Sequence, residues 1–188
     1  MRIISGELKG RPLASPRSNR IRPTTDGNRE RLFNIIEHTH FLPTVWNETC
    51  VIDLFAGTGA LGLEALSRGA AFGLFVDNSI EGRGLIRLNI ESLGVAARAR
   101  IFKRDATKLG ERGKLRPAHL CFLDPPYEMG LAEQALQSLV AGNWLCPNAL
   151  IIVEERASVR IKAPSVFTLL EKRQNGDTLI EFHRYKER

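Results

Sequence analysis

Long apolar runs are missing from this chain. No segment approaches the roughly 20 consecutive apolar residues that a membrane-spanning helix needs, and the polar N-terminus does not read as a signal peptide, so a soluble, cytoplasmic protein is expected. Cysteine is scarce: Cys50, Cys121 and Cys146 are odd in number, widely spaced and set in or beside apolar sequence. Without a CxxC or HxxxH pair there is no zinc framework, and buried free thiols with no metal site are expected. The four histidines, His38, His40, His119 and His183, share no spacing that suits catalysis. What remains is 188 residues that are 43% hydrophobic, enough for one α/β domain with a sizeable core and at most a short appendage.

Acidic residues are locally in short supply. Residues 1–31 carry eight Lys/Arg against three acids, and residues 98–116 carry eight against two, net charges of +5 and +6 in a chain whose total is +6. All other positions together are therefore acidic. Two basic clusters on such a body suit a polyanionic partner held through phosphate contacts, although either cluster alone reads equally well as a solvated charged face. The second cluster straddles a strand expected near 100–103. Its later members are expected along the carboxyl edge of the sheet, where ligands bind in open α/β folds.

The stretch 51–62, VIDLFAGTGALG, organises the rest of the chain. Val51, Ile52, Asp53, Leu54 and Phe55 form a strand pattern that runs into Gly57-x-Gly59-x-x-Gly62, and a helix pattern follows through Leu61, Leu63, Ala65 and Leu66. Glycine at such a turn lets a nucleotide-like ligand come closer to the backbone than a Cβ allows, with the N–H groups of the helix's first turn facing it. Packing alone also puts glycines between strands and helices, so a second feature is needed. Asp53 supplies it, because an acid in a buried strand is costly unless a cation or several donors meet it. A ligand with an ammonium group meets that demand. The next strand, 72–76, ends in Asp77, placed to bind ribose hydroxyls and equally to cap the segment from Asn78.

DLFAGTG, residues 53–59, resembles the first motif of the S-adenosylmethionine-dependent methyltransferases with a Rossmann-like sheet. The resemblance implies S-adenosyl-L-methionine as cofactor, its methionine end held by Asp53, with Phe55, Ala56, Gly57, Thr58, Gly59, Asp77 and Asn78 around it. Asp77 stands where family members often have Glu. A third strand near 100–103 runs into Arg104-Asp105-Ala106, and in the methyltransferase pattern Asp105 and Ala106 meet the adenine, Asp105 accepting from its amino group.

Leu120-Cys121-Phe122-Leu123 reads as the fourth strand, and Asp124-Pro125-Pro126-Tyr127 follows it. Consecutive prolines fix the backbone and donate nothing, which leaves neighbouring carbonyls free to accept from a substrate. Asp124 and the Pro125 carbonyl suit the two N–H donors of an amino group on a planar base, and Tyr127 offers a ring for the base to stack on, worth about 1–3 kcal/mol. DPPY resembles the fourth motif of methyltransferases that act on amino groups of nucleic acid bases. It implies catalytic roles for Asp124, Pro125, Pro126 and Tyr127, chiefly positioning the amine for in-line transfer.

The N-terminal segment carries a further resemblance. RIISGxxKGRxL followed by RPTxxxxRExLFN is similar to the pattern of the bacterial methyltransferases that modify the N2 amino group of one guanine, guanine 966, in 16S rRNA. That family implies the small-subunit rRNA or small ribosomal subunit as partner, a monomer, no membrane, and Arg22 and Thr24 as further cofactor contacts. From charge, Arg2, Lys9, Arg11, Arg17, Arg20 and Arg29 are the candidate RNA contacts. Residues 1–22 are expected as a basic arm holding a short β-hairpin around Ser5-Gly6, and residues 23–188 as the methyltransferase domain. The arm is expected to matter for RNA and not for cofactor.

Residues 22–36 open a helix capped by Thr25 or Asp26, with Leu32, Phe33, Ile35 and Ile36 buried. Residues 79–93 should cover one face of the sheet through Ile80, Leu85, Ile86, Leu88 and Leu93. A helix near 131–140, a strand at 150–153, and strands 167–172 and 178–185 flanking Asn175-Gly176 complete the chain. The expected fold is α/β, a Rossmann-like class I methyltransferase with a seven-stranded, mostly parallel sheet, an antiparallel C-terminal hairpin and a short N-terminal β-hairpin arm. A DNA adenine-N6 methyltransferase, or a nucleic-acid-binding module without catalysis, stays open as an alternative.

Overall fold

A computed structural model describes residues 1–16, 25–127 and 129–187. The Thr25 hydroxyl accepts from the Asn28 N–H and opens α1 (Asp26–His38), whose inner side buries Leu32, Phe33 and Ile36. Ile35, expected with them, is half-buried and packs at the edge of the same core. Then β1 (Cys50–Leu54), α2 (Ala60–Ser67), β2 (Phe72–Val76), α3 (Ile80–Leu93), β3 (Ala99–Phe102), β4 (Ala118–Leu123), α4 (Leu131–Ala141) and β5 (Leu145–Arg156) follow, and β6 (Phe167–Asn175) and β7 (Thr178–Tyr185) end the series as a hairpin.

One sheet holds all seven strands in the order β3-β2-β1-β4-β5-β7-β6, with β7 antiparallel to both its neighbours and every other pairing parallel. This is the architecture expected from the sequence pattern. Each residue of β1 is buried because helices cover both faces, which is why its sequence is nearly continuous in apolar residues apart from Asp53. One core joins α1, α2 and α3 to Val51, Phe75, Leu120, Phe122 and Ile152, and the other joins α4 to Ile52, Leu54, Cys121, Leu123 and Val153.

Two apolar residues of α3 depart from expectation: Ile80 is 85% exposed and Leu88 58%. Ser79 caps the helix by accepting from the Gly82 N–H at 2.9 Å, and the helix then turns Gly82, Ile86, Asn89, Ile90 and Leu93 inward at a spacing of three and four. Cys50 and Cys121 are buried, whereas Cys146, expected with them, is only half-buried.

The N-terminal segment forms a single bridge, Arg2 to Pro12, in place of two strands. The Ile3 N–H still donates to the Arg11 carbonyl and the Leu13 N–H to the Met1 carbonyl, but left-handed Gly6 and Gly10 turn the chain between them. Nor is the segment a loose appendage. Ile3 and Leu13 are buried in the same core as Leu32 and Phe33. The fully buried Glu64 carboxylate of α2 accepts from the N–H groups of Ile4 at 2.8 Å and Ser5 at 3.0 Å and from Arg68 at 3.0 Å. Gly6 passes so close to the Ser67 carbonyl that a Cβ would lie 1.9 Å from its oxygen.

Candidate active site

The strand order reverses between β1 and β4, and a parallel sheet splays open at such a point. A cavity of about 920 Å³ lies at these carboxyl ends, lined by residues at or after the ends of β1, β2, β3 and β4, by Glu154 of β5 and Thr178 of β7, and by Thr25 and Asn28 from the start of α1.

The glycine turn forms one wall. Phe55, Gly57 and Gly59 all have positive φ, at 57°, 55° and 76°, so the chain leaves β1 in a left-handed path that non-glycine Phe55 adopts only under strain. Phe55, Ala56, Gly57 and Thr58 line the cavity, while Gly59 sits behind them as the cap of α2. Gly62 serves packing and not the ligand: a Cβ there would stand 2.5 Å from the Phe75 ring.

Asp53 lies at the floor, 3% exposed, its Oδ2 accepting from the Gly62 N–H at 2.9 Å. Burial pushes its carboxyl up to about 8, the Gly62 bond opposing and nearby Asp77 adding. Asp77 fastens the two loops together, its Oδ2 accepting from the Gly57 N–H and its Oδ1 from the Ser79 N–H, both at 2.8 Å. Asn78 lines the wall beside it.

Asp105 is not among the lining residues, unlike its neighbours Arg104 and Ala106. It is exposed and spends Oδ1 locally, accepting from the Thr107 hydroxyl at 2.7 Å and N–H at 2.9 Å, and these bonds hold its carboxyl below the usual range. An Asp ahead of a short helical turn caps it, and that local bond competes with a ligand for the same oxygen.

All four residues of Asp124-Pro125-Pro126-Tyr127 line the opposite wall. The Tyr127 hydroxyl donates to Glu154 Oε1 at 2.9 Å, and the Arg156 guanidinium carbon lies 5.8 Å from its ring centre. Burial, then the charge of Glu154, pushes the phenol up to about 12, so it stays a donor. Glu154, Thr178, Arg104 and Ile80 also line the cavity without a motif to mark them. Glu154 had one available signal, its place directly after the apolar run 150–153; in the structure it lies inside β5, paired with Ile180 of β7.

The basic residues divide. Arg17, Arg20, Arg22 and Thr24 lie outside the described residues. Lys9 and Arg11 are exposed, Arg11 reaching the Ser92 carbonyl, and the Arg2 side chain is 70% exposed beside Asp26 at 3.7 Å. Arg29, a candidate RNA contact by charge, is fully buried, donating to the Arg2 carbonyl and to Asp26 at 2.9 Å, so it ties the arm to α1 and presents no exposed surface to a phosphate. In the second cluster Lys103, Arg104 and Lys108 follow β3 at the carboxyl end. Arg112 and Arg116 do not: Arg112 donates to the Asn143 carbonyl just before β5, and Arg116 acts on Cys50 at the start of β1, the edge away from the cavity.

A family model described as Conserved hypothetical protein 95 matches residues 1–184. The ribosomal RNA small subunit methyltransferase D of Haemophilus influenzae is 34% identical over 188 residues, covering 99% of this chain and 93% of that protein. Its namesake from Escherichia coli K12 is 39% identical over 155 residues, 82% of this chain and 74% of that protein. The chain belongs to the small-subunit rRNA methyltransferase D family. A solved structure described as "Putative methyltransferase yhhF from Escherichia coli" matches with a TM-score of 0.83 at 31% identity, covering 99% of this chain and 98% of that one. TrmN from Thermus thermophilus shares the fold, with a TM-score of 0.67 at 20% identity over 85% of this chain and 48% of that one.

In this methyltransferase family the class I fold implies S-adenosylmethionine as methyl donor. The cavity fits it. Asp53 is a carboxyl that burial holds largely in its neutral form, and the donor's ammonium beside it would favour the charged form. Asp77 lines the same space, where it would meet the donor's hydroxyl groups, and exposed Ile80 lines it as well and would offer an apolar surface.

Proposed function

We propose that the protein transfers a methyl group from S-adenosylmethionine to the exocyclic N2 amine of guanine 966 in 16S rRNA. The observation that carries this reading is the meeting of two walls in one cavity: the acidic glycine turn after β1 and the Asp124-Pro125-Pro126-Tyr127 clamp after neighbouring β4. S-adenosylmethionine brings an electrophilic methyl on a sulfonium, already a good leaving group. Asp124 and the Pro125 carbonyl accept the two N–H groups of the amine and hold its lone pair toward that methyl. The lone pair forms the N–C bond as the C–S bond breaks with its electrons left on sulfur, and Asp124 receives the proton that the methylated amine sheds. Tyr127, a neutral phenol tethered to Glu154, presents its ring to the base. Most of the rate enhancement comes from position and electrostatics. The reading implies a monomer acting in the cytoplasm, where bacterial ribosomal subunits assemble.

The test is transfer of labelled methyl to unmethylated small ribosomal subunits, free 16S rRNA and DNA, followed by digestion to nucleosides. N2-methylguanosine from a ribosomal acceptor is the expected product. N6-methyladenine in DNA would replace the substrate while leaving the clamp chemistry intact, and no transfer to any acceptor would remove the enzyme reading.

A further inference from the structure

We infer that Glu154 reads the N1–H of the target base and so makes the site select guanine; this rests on the guanine-N2 reading above. The clamp takes an amine, and an amine alone does not identify the base, because adenine and cytosine carry one too. Guanine differs in presenting a second donor, N1–H, next to its N2 amine on the same edge, where adenine presents a lone pair. A site for guanine therefore needs a second acceptor beside the first.

The sheet supplies one. Leu123 of β4 and Val153 of β5 are register partners, the last of that pair of strands, so Asp124 and Glu154 are the next residues along two parallel strands about 4.8 Å apart. Both line the cavity. The Tyr127 hydroxyl donates to Glu154 Oε1 at 2.9 Å and orients the carboxylate from within the clamp itself. A carboxylate has about four acceptor directions and so can serve several donors at once. Raised to about 12, the Tyr127 phenol keeps its proton and its role as donor across the working pH range. Base stacked on Tyr127, amine on Asp124 and Pro125, N1–H on Glu154 is a set of contacts that adenine cannot complete, since its N1 lone pair would face a carboxylate. Sites built to bond a substrate donor reject analogues that lack it far more strongly than apolar pockets reject a change of size.

The experiment uses small subunits reconstituted with rRNA that carries either guanine or 2-aminopurine at the methylated position. 2-Aminopurine keeps the N2 amine and has a lone pair in place of N1–H. Wild-type protein is expected to prefer guanine by at least about a hundredfold in kcat/KM. Glu154→Gln, whose amide donates as well as accepts, is expected to lose at least about tenfold on guanine and to narrow the preference below about tenfold, with S-adenosylmethionine affinity unchanged. Tyr127→Phe, which removes the tether and keeps the carboxylate, is expected to turn over more slowly while still preferring guanine. If the wild type makes N2-methylguanosine but Glu154→Gln keeps the full preference, the role of Glu154 is overturned alone. If the wild type makes no N2-methylguanosine from the guanine acceptor, the reading beneath it falls as well.

Discussion

Raising the pH from 6 to about 8 should tighten S-adenosylmethionine binding, because the protein must first ionise Asp53. That carboxyl is pushed up to about 8 by burial, against an ordinary 3.8. At pH 6 only about 1% of the ligand-free protein carries the carboxylate that an ammonium group selects, and apparent affinity scales with that fraction. The ligand's own α-amino group, with a pKa near 7.8, loses its charge over the same range in the opposite sense. The product of the two charged fractions peaks near pH 7.9, about twentyfold above its value at pH 6. Calorimetric titration at pH 7 in buffers of different ionisation enthalpy gives an independent reading, an expected release of about 0.8 proton per ligand bound. Asp53→Asn should bind weakly at all pH values and release no proton. The linked stability effect has a definite sign: a carboxyl raised in the folded state contributes stability that is fully present below about pH 4 and is lost as pH rises through about 8, so the Asn variant should gain on ligand-free wild type across that window. Affinity that is flat between pH 6 and 8, or binding without proton release, would refute the pairing of Asp53 with an ammonium group.

Asp124→Ala should abolish methyl transfer while S-adenosylmethionine binding by calorimetry stays near normal; near-normal turnover would remove Asp124 from the mechanism. Gly62→Ala puts a Cβ 2.5 Å from the Phe75 ring and should cost about 1–3 kcal/mol, seen as a Tm lower by several degrees. Glu64→Ala strips the acceptor from two backbone N–H groups and from Arg68 and should cost about 3 kcal/mol, read by urea unfolding; a cost under about 0.5 kcal/mol would mean the arm holds without it. Lys9→Glu with Arg11→Glu should raise KM for the ribosomal acceptor and flatten its salt dependence while leaving cofactor affinity alone, and equal loss of both would assign these side chains to the fold.

The fold was legible where sequence pattern and tertiary role coincide. An apolar strand, a glycine turn and a helix at 51–62, then repeated strand ends marked by acids, set the parallel order, and Asn175-Gly176 marked the antiparallel hairpin. Less legible were choices made between equivalent local bonds. Asp105 had a ligand and a helical turn as rivals for one oxygen, and in the structure Thr107 holds it. Arg29 belongs by composition to a basic run, yet its place three residues into α1 points it at the arm's backbone and at Asp26, and burial follows. Arg112 and Arg116 lie in a loop that returns from the carboxyl edge to the amino edge before β4, a path that charge counts do not record. Glu154 carried no motif at all, and only the register of β4 with β5 brings it beside Asp124.

The arm and the cofactor turn are mechanically one body, and Asn89 is the joint. Its side chain is buried, 1% exposed on α3, with Oδ1 accepting from the Ala14 N–H at 2.7 Å and Nδ2 donating to the Thr58 carbonyl at 2.9 Å. Thr58 belongs to the glycine turn and Ala14 to the arm, so one amide fixes both, and the Thr58 hydroxyl also meets the Met1 sulfur at 3.9 Å. A buried side-chain amide bonded on both ends leaves unsatisfied partners on both sides when removed, each costing about 1–3 kcal/mol. Removing the arm therefore strips a bond from Asn89, leaves Glu64 buried without its two backbone donors and opens the core at Ile3 and Leu13, all beside the cofactor wall. An arm that serves RNA alone would be separable by truncation. Truncating this one is expected to weaken methyl-donor binding as well, and among the described arm residues a test of RNA contact alone changes exposed side chains such as Lys9, where a charge changes and no packed atom moves.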